Sequence, residues 1–146
     1  MGVRSGHCLC GAVTVRGDVS DTAQACHCQQ CQRWTGGGPL FAVRVHDLEL
    51  TGEDAIHAYD HSNWGRRAVC GTCGSTLYWK VQTGPVAFVA LGLLDDQSGI
   101  TIAEEIFIDS RPGWFPPFAG AVQRTETEMK AQLAAFLEKE TGHDHV

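Results

Sequence analysis

The chain lacks most of the features that sort a protein quickly. It has no long apolar run: the longest, "PVAFVALGLL" from Pro85, is far too short to cross a bilayer. Its start, "MGVRSGHCLCG", lacks the apolar stretch of a secretory leader, so a cytoplasmic protein is expected. No Pro/Ser-rich linker, charge block or internal repeat divides the 146 residues, which predicts one domain over residues 1–146. Clustered positive charge is scarce as well. Eleven Lys and Arg stand against 17 Asp and Glu, the formal charge is -6, and "WGRRAV" is the densest basic spot. That balance argues against nucleic acid and against an anionic membrane surface as partners. No Ser/His/Asp arrangement and no phosphate-binding loop is legible.

What the chain does have is glycine and cysteine. The 17 glycines favour a turn-rich, mainly β fold over a helical bundle. Strand patterns occur at "GAVTVRGDV" and at "LFAVRVHDLEL", where Phe41, Val43 and Val45 alternate with Arg44 and His46. Shorter strands are predicted at "AIHAYDH", "STLYWKV", "VAFVALGLL" and "TIAEEIFID", with turns at "LTGED", "QTGP" and "LDDQSG". This spacing predicts antiparallel sheets packed on each other. One C-terminal helix reads clearly: Thr125 and Glu128 form a capping box, and Met129, Leu133, Phe136 and Leu137 recur at helical spacing for packing against the core. Gly142 can end it, and the "HDHV" tail is expected to fray.

Seven cysteines is an odd number, which a disulfide framework would leave unbalanced, so metal ligation is the expectation. Cys70 and Cys73 form a C-x-x-C whose two sulfurs can reach one ion, with Gly74 relieving the crowding where the chain doubles back. Cys8 and Cys10 form a C-x-C ending in Gly11. Two such pairs make the four-thiolate set of a structural zinc. Cys26, Cys28 and Cys31 are then left without a fourth cysteine, an arrangement suited to a catalytic zinc with one exchangeable position. His46, His57 or His61 can fill that position instead, whereas His27, between two ligands, should point away from the metal they share. Seven thiolates and two zinc ions would bring the net charge to about -9.

Beside the three-cysteine motif, "QRWTGGGPLF" offers Arg33 for a substrate carboxylate and Trp34 as a pocket wall, or else reads as a surface turn. "NWGRRAVC" places Trp64, Arg66 and Arg67 either at the same cavity or on a solvated turn, and Trp114 reads as a core plug in preference to a lid.

The order C-x-C-G, C-H-C-x-x-C and R-x-x-C-x-x-C-G-S, with "GLLDD" and "RPGWFPPF" downstream, resembles the glutathione-dependent formaldehyde-activating enzyme family, which includes centromere protein V-like proteins. The likeness runs from about His7 to Phe118, with Val69 standing where relatives often carry an aromatic. It implies a mainly β, tent-like fold with two zinc ions per chain. Cys8, Cys10, Cys70 and Cys73 would hold the structural ion, and Cys26, Cys28 and Cys31 the catalytic one. Arg67 matches the arginine before the second cysteine pair. The implied activity is carbon–sulfur lyase chemistry joining formaldehyde to the thiol of glutathione, with substrate contacts from Arg33, Trp34 or Arg67. The alternative reading is a non-catalytic zinc scaffold or protein-interaction module of the same fold.

Overall fold

The computed structural model describes the backbone of residues 1–143 and the side chains of residues 1–139, so the side chains of the "HDHV" tail lie outside the described residues. In chain order the strands are β1 Gly2–His7, β2 Thr14–Cys26, β3 Leu40–Thr51, β4 Ile56–Tyr59, β5 Gly65–Cys70, β6 Thr76–Val81, β7 Val86–Ala90, β8 Thr101–Ile106 and β9 Val122–Arg124. Helix α1 (Gln29–Thr35) lies between β2 and β3, and α2 (Glu126–His143) ends the described chain. The expected β-rich fold with a C-terminal helix is present.

All nine strands join one sheet in the order β4-β5-β6-β7-β3-β2-β8-β9, with β1 on the same edge of β2 as β8. Strand β2 manages two partners on that edge because it is broken in the middle. Its first half pairs antiparallel with β1, from Gly2↔Val19 to His7↔Thr14. The register then shifts between Val19 and Ala23, and the second half pairs parallel with β8, from Thr22↔Thr101 to Cys26↔Ile106. Strand β9 also runs parallel to β8, so the sheet is mixed where sequence spacing predicts antiparallel pairing throughout.

Register decides which residues share a face. The pairs Val43↔Val89, Val45↔Ala87, Ala68↔Tyr78 and Tyr78↔Val89 put one set of side chains inside, where they pack with Val13, Val15, Val19, Leu77, Cys8 and Cys70. Each fully buried Val or Leu contributes roughly 1.5–3 kcal/mol. The alternate set faces the other way: Cys26↔Leu40, Arg44↔Phe88, Phe88↔Trp79 and Trp79↔Arg67. There a smaller cluster forms from Cys26, Cys31, Leu40, Ala42 and Ile106, with Trp34, Phe88 and Met129 against it.

The capping box of α2 forms as expected: the Thr125 amide donates to Glu128 Oε1 at 3.1 Å and the Glu128 amide to Thr125 Oγ1 at 3.2 Å. Its apolar stripe does not become core. Met129 packs on the smaller cluster, but Phe136 is 39% exposed, and the helix continues through Gly142 to His143.

Strand β1 approaches the turn after β7 so closely that Gly6 pairs with Leu94, and a Cβ at Gly6 would lie inside the van der Waals surface of the Leu93 carbonyl oxygen. Gly6→Ala must therefore push β1 off the core. We expect a loss of about 3 kcal/mol, read as a clear fall in Tm of the metal-loaded protein; an unchanged Tm would contradict this packing.

Candidate metal centre and its surroundings

The first sulfur cluster closes over the large core. Cys8 and Cys10 sit in the tight turn after β1, where the Gly11 amide donates to the Cys8 carbonyl at 3.1 Å and Gly11 has φ of 82°. Cys70 ends β5, and the Gly74 amide donates to the Cys70 carbonyl at 2.7 Å with Gly74 at φ 80°, the left-handed conformation that suits glycine. The four Sγ atoms of Cys8, Cys10, Cys70 and Cys73 all lie within 4.8 Å of one another. Cys8 to Cys10 is 3.7 Å and Cys10 to Cys70 is 3.9 Å. A tetrahedron with zinc–sulfur bonds of about 2.3 Å needs sulfurs about 3.8 Å apart, so the donor set fits a closed zinc site. The Val13 amide donates to Cys8 Sγ at 3.3 Å, and Ser75 Oγ lies 3.2 Å from Cys73 Sγ, both able to support thiolates.

The second cluster is built by the end of β2 and the start of α1, on the opposite face of the sheet. Cys26 is the last residue of β2; Cys28 caps α1, its sulfur accepting the Cys31 amide at 3.3 Å; Cys31 is buried in the first turn. Their sulfurs also lie within 4.8 Å of one another, and among the described residues no histidine or carboxylate joins them. Hydrogen bonds from the Cys26 and Cys31 thiols draw the Cys28 thiol far below its ordinary range. The same contact with Cys28, followed by that with Cys31 and by burial, pushes Cys26 up. Loading a divalent ion must displace the protons still held, so metal affinity should weaken as pH falls.

Arg67 gives this cluster its electrostatic partner. It is only 8% exposed, and the structure shows no carboxylate paired with it among the described residues. Its Nη1 donates to Cys31 Sγ at 3.6 Å, its Nη2 donates to Gln30 Oε1 at 3.2 Å, and its guanidinium lies 4.8 Å from the centre of the Trp34 ring. A buried cation left unpaired costs several kcal/mol; this one is faced by the Cys31 sulfur, the Gln30 side-chain oxygen and the Trp34 ring. The spacing of α1 explains the grouping: Gln30, Cys31 and Trp34 share a face of the helix. Arg33 lies on the other face, exposed, beside a shallow cleft lined by Gln29, Gln32, Gly36 and Gly37. The structure thus brings Trp34 and Arg67 to the three cysteines and sets Arg33 apart. Of "NWGRRAVC", Asn63 and Trp64 lie in the bend before β5 and Gly65–Cys70 form the strand; Arg66 is partly exposed and paired with Asp60, whereas Arg67 is buried against the Cys31 sulfur.

Sequence reasoning did not find the support behind the cluster. His27 is fully buried and turned away from the sulfurs, its Nε2 donating to Glu105 Oε1 at 2.9 Å. Burial alone would raise the Glu105 carboxyl, but hydrogen bonds from Gln123, His27 and the Phe118 amide, with Arg111 nearby, outweigh it and hold the pKa below its ordinary value. The loop from Arg111 to Phe118 is drawn in by these bonds and by the Phe115 ring, 5.3 Å from that of His27. Trp114 is not a core plug; it is 70% exposed, in a turn closed by the Phe115 amide donating to the Pro112 carbonyl at 3.0 Å. His61 accepts a hydrogen bond from Trp79 Nε1 at 3.0 Å, and burial with the nearby Arg67 cation lowers its pKa, so it stays neutral.

The two clusters should differ in what their loss does. The first ties the turn after β1 to the end of β5, far apart in sequence, whereas the second joins residues within six positions, from Cys26 to Cys31. Cys73→Ser is expected to give unfolded or insoluble protein, and Cys28→Ser to stay folded while losing one metal equivalent. Circular dichroism with metal analysis checks this; equal disruption by both substitutions would contradict it.

With the geometry established, comparison with known proteins places the chain. The profile of a family described as glutathione-dependent formaldehyde-activating enzyme matches residues 3–110. A Schizosaccharomyces pombe protein named as an uncharacterized lyase is 25% identical over 109 residues, 73% of this chain and 80% of its own. A Rhodobacter sphaeroides protein of known crystal structure shares the fold, with a TM-score of 0.54 at 22% identity, covering 83% of this chain and 99% of the other. From the family match, which spans both cysteine clusters, it follows that this chain belongs to the glutathione-dependent formaldehyde-activating enzyme family.

Proposed function

We propose that the protein is a zinc-dependent carbon–sulfur lyase that forms and cleaves a small thiol–aldehyde adduct of the S-hydroxymethylglutathione kind, with Cys26, Cys28 and Cys31 as its reacting centre. The observation that supports this most is a three-sulfur donor set with no fourth protein ligand among the described residues, beside a buried arginine that answers its charge. The family and the lyase-named relative supply the reaction class. The second ion, at Cys8, Cys10, Cys70 and Cys73, is structural.

In the joining direction the thiol gives up its proton and its sulfur attacks the aldehyde carbon. The carbonyl π bond breaks and the proton ends on the new hydroxyl oxygen; cleavage reverses each change. Zinc held by the three cysteines would supply Lewis-acid stabilisation of the thiolate sulfur and of the aldehyde oxygen. Three thiolates and a divalent ion carry a net charge of -1, which Arg67 brings to zero, so the centre accepts a thiol arriving neutral without building up buried charge. Trp34 stacks on Arg67 and holds its guanidinium with one nitrogen on Cys31 and the other on Gln30. The His27–Glu105 bond anchors the backbone between two of the ligands, keeping the sulfurs converged.

The test is exchange between isotopically labelled formaldehyde and its glutathione adduct, followed by NMR. Zinc-loaded protein should accelerate exchange in proportion to its concentration, and Cys28→Ser should lower the protein-dependent rate by at least about 10²-fold. No acceleration by protein carrying its full metal complement would reject the lyase and leave the scaffold.

A further inference from the structure

We propose that His61 donates a hydrogen bond from Nδ1 to the aldehyde oxygen as the carbon–sulfur bond forms, and that Trp79 locks the imidazole in the tautomer able to do so. This rests on the thiol–aldehyde reading above and adds the group that answers the reacting oxygen.

The tautomer follows from a partner that can only donate. An indole N–H accepts nothing, and Trp79 Nε1 donates to His61 Nε2 at 3.0 Å. Nε2 must therefore keep its lone pair, and the proton of the ring sits on Nδ1. The buried nitrogens without a partner are His27 Nδ1 and Arg67 Nε, so His61 Nδ1, to which no described group bonds, is open to solvent.

A glycine sets where the ring stands. A Cβ on Gly65 would overlap Nε2 and Cε1 of His61, so the imidazole fills the space of a side chain at that position. Gly65 and Arg67 are two apart on β5 and share a face, about 7 Å along the strand. Arg67 reaches Cys31, and Trp79 is its cross-strand partner. His61 thus stands beside the three-cysteine cluster, over the outward face of the sheet. Ser62 holds its loop there, the Oγ accepting the Trp64 and Gly65 amides at 3.3 and 2.9 Å, and the Trp64 ring closes edge-on at 5.5 Å.

The charges facing His61 are Arg67 from β5, Cys28 from the start of α1 and Asp60 from its own loop. Burial first, and then Arg67, lower its pKa; Cys28 and Asp60 oppose them, and Asp60 is shared with Arg66 at 2.6 Å. Protonation would also set a hydrogen on Nε2 against the Trp79 N–H. The ring therefore stays neutral where a free histidine titrates, near about 6.5. A neutral imidazole can polarise a carbonyl. As the thiol sulfur bonds to carbon, the carbonyl π pair moves to oxygen, and Nδ1–H meets that charge without giving up its proton. The proton released by the thiol reaches the oxygen through solvent, and cleavage reverses each change.

Two readouts test this. Nitrogen-15 NMR of the zinc-loaded wild type should show the His61 proton on Nδ1 and no titration between about pH 5 and about pH 8; a proton on Nε2 would overturn the lock. Trp79→Phe should bring into the kcat profile an inflection near about pH 6.5 that the wild type lacks, and an unchanged profile contradicts the lock as well. In the labelled-formaldehyde exchange, His61→Gln keeps an acceptor for Trp79 but removes the Nδ1 donor. Its kcat should fall about 10²-fold with the KM for glutathione unchanged. His61→Asn, which returns an N–H close to the Nδ1 position, should recover part of the loss. If His61→Gln turns over like the wild type, the donor is wrong and the reaction centre stands. If the wild type accelerates no exchange, the reaction centre is wrong and the donor falls with it.

Discussion

Four sulfur atoms from Cys8, Cys10, Cys70 and Cys73 share one small space although their strands lie far apart in the sheet. Along the hydrogen-bonded path from β5 to β1 there are five strand spacings, through β6, β7, β3 and β2. A flat sheet would hold those strands about 24 Å apart. Sulfurs within 4.8 Å of one another require the sheet to curl until the end of β5 comes back to the turn after β1. That curl encloses the large core, brings β1 against the turn after β7 at Gly6, and turns the opposite face outward. The three-cysteine cluster belongs to this outward face, so a closed sulfur knot inside and an open one outside are two results of one curvature.

The local motifs were legible because their geometry is short-range. A C-x-x-C with glycine behind it specifies a turn, and Thr125 with Glu128 specifies a helix start; both formed. What escaped the sequence depends on partners distant in the chain. Arg66 and Arg67 could be read either at the cavity or on a solvated turn, and nothing nearby signals that the second will meet the sulfur of Cys31, 36 positions earlier. Helix α1 has seven residues and runs into three glycines, too short for a periodic pattern to show. Glu105 sits in "TIAEEIFID" as one acid among several, although it is the carboxylate gathering His27, Gln123 and the Phe118 amide. The stripe of α2 misled in the other direction: its spacing is helical, but of its apolar residues Met129 packs on the smaller cluster while Phe136 is exposed.

Polar burial in this protein is concentrated at one point. Among the buried residues, His27, Glu105 and Arg67 are the polar or charged ones, and all three serve the neighbourhood of Cys26, Cys28 and Cys31. Each would be destabilising alone; Glu105 is fully answered, whereas His27 and Arg67 are bonded through Nε2 and the two Nη atoms while His27 Nδ1 and Arg67 Nε are buried without a hydrogen-bond partner. The four-cysteine cluster, by contrast, has Cys8 and Cys70 among the aliphatic side chains of the large core, with Cys10 exposed.

The break in β2 has a consequence for how the chain is made. Its second half, ending at Cys26, finds its parallel partner only in residues 101–106. Contacts so distant in sequence form slowly, because much chain must be ordered before any pairing rewards it. During synthesis the edge of β2 and the Cys26 thiol stay uncovered until β8 has left the ribosome. The nascent chain is therefore most vulnerable to edge pairing and thiol oxidation in that interval.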